Sequence, residues 1–306
     1  MVDVATNSNL DLKTLDLSGA RELPLEGLKV LGSRMKNVKV LRSNKLGTLR
    51  DHHLDVIADS MPCLEVLDIS YPQDEVNVTD RGIEVVSMKL KVLRKSTYLD
   101  ISMGETNLGG GGGDKATNIV SDPRIKFLNF GDNPNLSDEC LAKLASTCPT
   151  LEVLDVSSCK GITEKGIADS LKSNSKIRKL RINECGGIMN IGNGLELPEL
   201  EVLEATRSGI NDDGLVVIGN RCDKLFKLNL NGCLGVTTVG LKEILRNCKR
   251  LRNLNLTGCL NMSLDMIDWM VFSRPSLRTI ILSHSSLPSE SQRELLLRHG
   301  CLVFSE

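Results

Sequence analysis

Aromatic side chains are scarce in this chain of 306 residues: they account for 3% of it and include a single tryptophan. An excess of one charge is also lacking, since the formal net charge is −1 at pH 7. A near-neutral chain has no general attraction to the phosphates of nucleic acid or to an anionic membrane surface. No apolar run approaches the roughly 20 residues of a membrane-spanning helix, and the opening residues MVDVATNSNLDLK form no secretory signal. We therefore expect a cytoplasmic or nuclear protein that binds neither nucleic acid nor membrane.

The sequence also lacks the short motifs of catalysis and of metal or phosphate binding. There is no CxxC pair, no GxxxxGK[ST] loop and no GxGxxG loop, so neither a zinc site nor a nucleotide site is supported. Asp51, His52, His53 and Asp55 have the side chains of metal ligands, but they stand at a predicted helix start, where acidic residues complement the helix dipole. No group of residues suits nucleophilic catalysis. We expect no cofactor, no metal and no enzymatic activity.

What the chain does contain is an internal repeat. Residues 222–259 show one structural unit ending and the next beginning, because leucines and a cysteine recur after 26 residues: Leu225, Leu228, Leu230 and Cys233 reappear as Leu251, Leu254, Leu256 and Cys259. The core of the repeat is LxxLxL, which is typical of a leucine-rich repeat, where each unit supplies a short parallel strand and then a helix. The leucines of such a unit face the interior, and the residues between them face the concave side of a horseshoe.

The repeat extends over nearly the whole chain and predicts its fold class. It predicts an α/β leucine-rich-repeat solenoid of about 11 repeats, with a parallel concave sheet and convex helices. Most repeats are 25 or 26 residues long. The strands are expected to begin at these apolar residues: Leu12, Val38, Leu64, Leu90, Ile125, Leu151, Ile177, Leu200, Leu225, Leu251, Leu277 and Leu302.

Two intervals depart from this length. The unit at residues 177–199 has 23 residues, and we expect a short turn in place of its helix. The interval from Leu90 to Ile125 has 35 residues and holds five consecutive glycines at 109–113, which predict a flexible loop. Tyr98, Leu99 and Ile101 are an alternative strand inside this interval. The predicted organisation is a short N-terminal segment at 1–11 and a repeat domain at 12–306, with a glycine-rich insertion at about 98–124.

Cysteines and helix caps occupy fixed places in the repeat. Cys159, Cys185, Cys233 and Cys259 follow strands, and Cys148, Cys222 and Cys248 stand at helix ends, so we interpret them as structural, reduced thiols. A thiol after the strand replaces the Asn that usually satisfies the backbone there. The predicted N-cap residues, whose side-chain oxygens accept from the first helical N–H groups, are Ser137, Thr163, Asn211, Thr237, Ser263 and Ser289; Ser289 with Gln292 also spells a capping box.

The repeat subtype resembles a known family. The segments LEVLDVSSCKGITEKGI (151–167) and CDKLFKLNLNGCLGVTTVGL (222–241) resemble the cysteine-containing repeats of F-box/leucine-rich-repeat proteins, and residues 61–87 look most like the plant members. The resemblance implies that the repeats hold a protein substrate, while an F-box ahead of them docks on the Skp adaptor of a cullin ubiquitin ligase. We expect no F-box ahead of the repeats in this sequence, because the pair Leu23-Pro24 already belongs to the first repeat.

Three functions follow from the resemblance and this departure from it. The first is substrate recognition for an SCF-type (Skp-cullin-F-box) ubiquitin ligase, in ubiquitin-dependent protein degradation. Skp adaptor and cullin would then be partners if an F-box is supplied, for example by a longer chain of which this is a fragment. The second is an F-box-less scaffold or a competitive inhibitor of protein interactions. The third is a small-molecule sensor, as in the plant hormone receptors that these repeats resemble.

The predicted binding surface is the concave face, where strand residues between the leucines form stripes. The stripe at the fifth position of LxxLxL mixes both signs of charge and includes Arg94 in the fourth repeat, which suits a protein partner better than a polyanion. Arg and aromatic residues are favoured anchors of interfaces. Trp269, among Met266, Ile267 and Met270, is expected in the core. The predicted partner-binding residues are Asp155, Arg178, Arg181, Glu204, Phe226, Lys227, Asn229, Arg252, Asn255 and Arg278.

Overall fold

The structure is a computed structural model that describes residues 12–35, 37–43, 46, 48–64, 66–69, 76–89, 98–100, 126–133, 135–191, 197–262 and 266–305. The chain divides into two compact units, Met1–Gly161 and Ile162–Glu306, here called unit 1 and unit 2. Ser263, the predicted N-terminal segment 1–11 and the glycine run at 109–113 lie outside the described residues.

Unit 1 alternates short strands with helices. In chain order its elements are β1 (Thr14–Asp16), α1 (Leu25–Arg34), β2 (Val40–Arg42), β3 (Leu49–Arg50), α2 (Asp51–Ser60), β4 (Val66–Asp68), β5 (Val76–Asn77), α3 (Asp80–Lys89), β6 (Tyr98–Asp100), β7 (Phe127–Asn129), α4 (Asp138–Thr147) and β8 (Val153–Asp155). Strands β1, β2, β4, β6, β7 and β8 pair in that order, all parallel. Strands β3 and β5 form a separate two-stranded parallel sheet.

Unit 2 continues the same alternation. Its elements are α5 (Glu164–Ser173), β9 (Lys179–Arg181), β10 (Val202–Glu204), α6 (Asp212–Arg221), β11 (Lys227–Asn229), α7 (Thr238–Asn247), β12 (Asn253–Asn255), α8 (Met266–Ser273), β13 (Thr279–Leu282), α9 (Glu290–Arg298) and β14 (Leu302–Ser305), with a 3-10 turn at His284–Ser286. Strands β9 to β14 pair in chain order, all parallel. The predicted fold, an α/β leucine-rich-repeat solenoid, is confirmed.

The leucines of the repeat form the core between sheet and helices. Leu225, Leu228 and Leu230 are fully buried, and so are Ile218 and Ile244 from the facing sides of α6 and α7. A three-residue strand buries only its middle side chain on this side, so the leucines before and after it complete each layer. Burying a leucine side chain contributes about 1.5–3 kcal/mol, and stacked repeats accumulate such contributions without aromatic residues.

A tight turn follows the strands, and its thiols bond as predicted. The thiol of Cys233 donates to the Ala205 carbonyl at 3.0 Å, and that of Cys259 donates to the Leu230 carbonyl at 3.1 Å. In unit 1, the amide of Asn133 donates to the Phe130 carbonyl at 2.7 Å. The residue before each of these three positions has a positive φ, and the same conformation recurs at these turn positions: Gly19, Asp132, Ser158, Glu184, Arg207, Gly232 and Gly258. The predicted helix-end cysteines Cys148, Cys222 and Cys248 are the C-cap residues of α4, α6 and α7.

The predicted N-cap residues that the structure describes all cap their helices, whereas α1, which follows Pro24, has no side-chain cap. Side chains of Ser137, Thr163, Asn211, Thr237 and Ser289 each accept from a backbone N–H in the first turn of their helix. Ser289 accepts from the N–H of Gln292, whose side-chain amide donates to Asp268 Oδ2 at 2.8 Å.

A second set of hydrogen bonds, which the sequence pattern does not predict, links the helix starts of successive repeats. The carboxylate of Asp212, the first residue of α6, accepts from the Thr237 backbone N–H at 2.8 Å and from the Thr237 hydroxyl. Asp51 accepts in the same way from Thr79. Gly240 allows this approach, since a Cβ there would lie 2.6 Å from Asp212 Oδ1. We call these bonds the carboxylate ladder.

The fourth strand lies later in the chain than the repeat interval predicted. It is Tyr98–Asp100, the predicted alternative, and it pairs with β4 and β7. Asp100, not Arg94, therefore stands in register with Asp68 and Asn129. The pattern failed because Ser96 occupies the place of the first leucine of this repeat, whereas Leu90 imitates one. Leu90 and Arg94 lie outside the described residues, and the glycine-rich segment can begin only after residue 100.

The helices on either side of this irregular interval are direct neighbours. The Ser137 N–H and hydroxyl donate to Asp80 at the start of α3, and Lys143 Nζ lies 2.6 Å from Glu84 Oε1. The carboxylate ladder thus runs from α3 to α4, between residues 57 positions apart in the chain.

Two other predictions concern unit 2. Residues 182–191 and 197–201, between β9 and β10, contain turns and no helix, so the predicted replacement of a helix is confirmed for them. The backbone N–H groups of Met189 and Asn190 there donate to Glu164, the first residue of α5. The last strand was wrongly aligned: Leu302 pairs with Thr279, the third position of its repeat, and not with Leu277. Gly300 takes the first position, and no apolar side chain signals it.

None of the described helices is both long enough and apolar enough to cross a lipid bilayer.

Candidate partner-binding surface

The candidate surface of unit 2 consists of three rows of side chains that cross strands β9 to β14. We call it the sheet face. The second positions of LxxLxL, directly before the strands, carry Arg178, Glu201, Phe226, Arg252 and Arg278, and before β14 the buried Cys301. The third positions carry Lys179, Val202, Lys227, Asn253, Thr279 and Leu302. The fifth positions carry Arg181, Glu204, Asn229, Asn255, Ile281 and Phe304.

Both carboxylates in these rows are engaged by neighbouring side chains. Arg178 Nη2 lies 2.9 Å from both carboxylate oxygens of Glu201. Glu204 is bound from the next strand, with Lys227 Nζ 2.8 Å from Oε1 and Asn229 Nδ2 3.0 Å from Oε2. Six cationic side chains stand in the same rows: Arg178, Lys179, Arg181, Lys227, Arg252 and Arg278. The sheet face is therefore basic, although the whole chain is nearly neutral.

Backbone hydrogen bonds link successive residues of the second-position row. The N–H of Arg252 donates to the Phe226 carbonyl, and the N–H of Arg278 donates to the Arg252 carbonyl, both at 2.8 Å. Phe226 is half-buried, whereas both arginines are exposed. Arg278 Nη1 donates to the carbonyls of Pro275 and Leu277, at 2.7 and 2.8 Å, which fixes its guanidinium over the strand start. Among the described residues, the Arg252 side chain has no hydrogen-bond or ion-pair partner.

The fifth-position Asn and Asp residues have a second role in the turn that follows the strand. Asn229 Oδ1 accepts from the Asn231 N–H at 3.0 Å, and Asn255 Oδ1 accepts from the Thr257 N–H at 2.9 Å. In unit 1, Asp155 accepts from the N–H and hydroxyl of Ser157. Asp155 and Asn255 are 7% and 8% exposed, so most of their polar surface already serves the fold. Their part in binding stays a prediction.

An apolar area at the far end of the sheet face was not predicted from the sequence. Ile281 and Phe304 are paired residues of β13 and β14, and both are half-buried. Leu302 is 47% exposed on the same strand. The signal was present in the sequence as Leu302 and Phe304, but the misplaced start of the last repeat assigned Leu302 to the core.

The residues Asp51, His52, His53 and Asp55 are not assembled as metal ligands. Asp51 belongs to the carboxylate ladder, Asp55 Oδ1 lies 2.6 Å from Lys89 Nζ, and His53 Nδ1 accepts from the Arg50 N–H at the start of α2. Burial, reinforced by the nearby charges of His52 and Arg50, lowers the pKa of His53 to about 4, so it is neutral at pH 7. Within the described ranges, no three or more His, Cys, Asp or Glu residues form a group that could hold a metal ion.

Trp269 is less buried than expected. Met266, Ile267 and Met270 are in the core, as predicted, but Trp269 is half-buried on α8, and the ammonium of Lys242 lies 5.8 Å from the centre of its ring. A cation in this position is attracted to the face of the indole.

The buried thiols have pKa values above the ordinary value. Burial raises the pKa of Cys248 and of Cys259 to about 12, and that of Cys301 to about 11. The pKa of Cys140 is raised too, by burial first and then by the charge of Asp80. Thiols of this kind stay protonated at neutral pH and are poor nucleophiles.

Comparison with known proteins supports the resemblance stated from the repeats. No family model matches the chain. F-box/LRR-repeat protein 23 of Arabidopsis thaliana is 30% identical over 114 residues, which are 34% of this chain and 25% of that protein. The Arabidopsis F-box protein MAX2 is 28% identical over 162 residues, 44% of this chain and 23% of that protein. The matched segments thus span about a quarter of each relative. The predicted resemblance to plant F-box/leucine-rich-repeat proteins is confirmed.

Two solved structures of low sequence identity are also similar to this chain. The Rad7–Elc1 complex of yeast matches 96% of this chain and 81% of the solved chain, with a TM-score of 0.44 and 17% identity. The leucine-rich-repeat-containing protein LegL7 of Legionella pneumophila matches 99% of this chain and 85% of its own, with a TM-score of 0.47 and 14% identity.

Proposed function

We propose that the chain is a protein-binding leucine-rich-repeat module that recognises substrates of an SCF-type ubiquitin ligase, and so acts in ubiquitin-dependent protein degradation. The single observation that carries protein binding is the sheet face of unit 2, where charged and aromatic side chains stand in register on strands held by a buried leucine core. The link to a ubiquitin ligase rests on the resemblance to F-box/leucine-rich-repeat proteins.

The sheet face suits a protein partner because its side chains are held in place before binding. The pairs Arg178–Glu201 and Lys227–Glu204 each join neighbouring strands, so they fix the positions of charges that a partner would meet. Prearranged side chains lose less conformational entropy when a partner binds. Phe226 offers an apolar contact beside exposed arginines, and aromatic residues with arginine are the usual anchors of interfaces.

The proposal is tested by affinity capture from a plant extract in which the proteasome is inhibited. The bait is the 306-residue chain, compared with a sheet-face variant that carries Arg181→Glu and Phe226→Ala. The control bait carries Lys172→Glu, an equal change of charge at an exposed site on α5. We expect proteins, some of them conjugated to ubiquitin, that bind the chain and the control but are lost from the sheet-face variant. A set of bound proteins that is the same for all three baits would contradict the proposal.

A second measurement separates the ligase role from an F-box-less scaffold or inhibitor. Purified Skp adaptor is titrated with the chain, and an F-box protein serves as the positive control. Saturable binding supports direct docking on the ligase. If the adaptor does not bind while capture depends on the sheet face, the chain is a protein-binding module that needs a separate F-box, or acts without a ligase.

A further inference from the structure

Charge is unevenly distributed along the sheet face. On β9 to β11 the carboxylates of Glu201 and Glu204 offset part of the basic charge. On β12 and β13 the rows contain Asn253, Asn255, Thr279 and Ile281 beside the two arginines, and no carboxylate. Arg252 and Arg278 are thus the cations of the sheet face with no carboxylate at the row positions of their own strands or of the adjacent strands β11 and β14.

The backbones of these two arginines are also adjacent. Arg278 donates its backbone N–H to the Arg252 carbonyl at 2.8 Å, so the two residues directly precede adjacent strands, which are about 4.8 Å apart. Like charges on directly adjacent strands repel each other. An oxyanion bound between the two guanidinium groups would remove this repulsion, and the planar guanidinium is suited to a carboxylate.

Apolar side chains stand on both sides of the arginine pair. Phe226 precedes Arg252 in the same row, and its carbonyl accepts from the Arg252 N–H. On the other side, Ile281, Leu302 and Phe304 form the apolar area of β13 and β14, where Leu302 is 47% exposed. Across the strands the order is therefore Phe226, then the two arginines, and then the apolar side chains of β14 at the third and fifth positions, since the second position there is the buried Cys301.

We propose that this end of the sheet face binds an extended segment of the partner that carries an Asp or Glu side chain between two apolar side chains. The inference rests on the proposed function and names the chemistry that its partner would present. From Phe226 to Arg278 the row crosses two strand spacings, about 10 Å. An extended chain advances about 3.3 Å per residue, so the carboxylate follows the first apolar residue by one to three positions.

The test begins with random 12-residue peptides displayed on phage and selected on the immobilised 306-residue chain. Enriched peptides are synthesised, and their binding is measured by fluorescence polarisation. We expect enrichment of Asp or Glu within three positions of Leu, Ile, Phe or Trp, and a loss of affinity of about tenfold or more when that acid is replaced by Gln or Asn. Enrichment without an acid, or no enrichment at all, overturns the inference.

Reversing the charge of Arg252 and Arg278 then tests whether these arginines bind the acidic side chain of the peptide. The variant Arg252→Glu/Arg278→Glu is expected to lose the enriched peptides and to bind versions in which the acid is replaced by Lys. The control Lys172→Glu/Arg298→Glu makes the same change of charge on α5 and α9 and should bind as the unchanged chain does. All four side chains are exposed, and thermal unfolding of each variant checks that it is folded.

The outcomes distinguish this inference from the proposed function. If peptide binding depends on Arg181 or Phe226 but not on Arg252 and Arg278, the inference is wrong, although the sheet face is still a binding surface. Peptides that are indifferent to every sheet-face variant would contradict both. A phosphoserine that replaces the acid and binds more than about tenfold tighter would move the ligand from a carboxylate to a phosphate, and so overturn the inference as stated.

Discussion

The ten cysteine side chains stand in two kinds of surroundings. Nine are buried, whereas Cys63, in the turn after α2, is half-buried. The buried thiols that follow strands donate hydrogen bonds to backbone carbonyls, as Cys233 does to Ala205. Because a thiol must lose its proton to react, burial and a raised pKa protect it.

We therefore predict that one thiol per chain reacts quickly with Ellman's reagent at pH 8, and that nine react only as the protein unfolds. Replacing Cys63 with Ser should abolish the fast reaction, whereas Cys259→Ser should leave it unchanged, since burial raises the pKa of Cys259 to about 12. Several fast thiols in the native protein would mean that the turns after the strands open readily.

At the scale of single elements, the helix starts carry the contacts that differ most from what the sequence pattern predicts. The N-cap residues could be predicted, since each cap bonds to a helix a few residues away. The carboxylate ladder could not, because the bond from Thr237 to Asp212 joins residues 25 apart whose distance depends on how repeats stack. Asp213, next to Asp212 on α6, is exposed and looks equivalent in sequence.

This pair of aspartates gives a matched test. Asp212→Asn should lower the free energy of unfolding by about 1.5–3 kcal/mol, because two hydrogen bonds to a charged acceptor are weakened. Asp213→Asn removes an acid from the same helix turn and should change it by less than about 0.5 kcal/mol. Both variants are measured by urea titration. Equal losses of unfolding free energy would show that the bonds from Thr237 to Asp212 do not stabilise the protein.

The sheet shows the same contrast between what the pattern predicts and what it misses. LxxLxL located most strands, since Leu228 and its equivalents must face the core in any stacking of repeats. It failed at Ser96 and Gly300, where no apolar residue marks the start, and both errors moved residues of the predicted surface: Asp100 replaced Arg94, and Leu302 moved out of the core. Partner-binding residues are harder still to predict, because Asn255 satisfies a turn and offers a polar surface at once.

For the whole molecule, the direct contact of α3 with α4 predicts how the glycine-rich segment contributes to stability. Ser137 and Lys143 of the α4 region bond to Asp80 and Glu84 of α3. Deleting residues 109–113 should therefore change the free energy of unfolding by less than about 0.5 kcal/mol. Leu228→Ala, a core change measured in the same urea titrations, should cost about 2–5 kcal/mol. A deletion that costs as much as Leu228→Ala would mean that the glycines are part of the packed structure.

The left-handed turn position that follows seven of the described strands has a consequence for design. Gly232 and Gly258 adopt it without a side chain, whereas Glu184 and Arg207 adopt it with φ of 58° and 49° and pair with each other at 2.9 Å. A side chain in this conformation costs about 1–2 kcal/mol, and glycine avoids that cost but loses about 0.5–1 kcal/mol of backbone entropy. The difference leaves a side chain about 0.5–1 kcal/mol less favourable than glycine, so residue type can vary here at a modest cost in stability. A combinatorial library at these turns could reshape one rim of the repeats while every leucine stays in place.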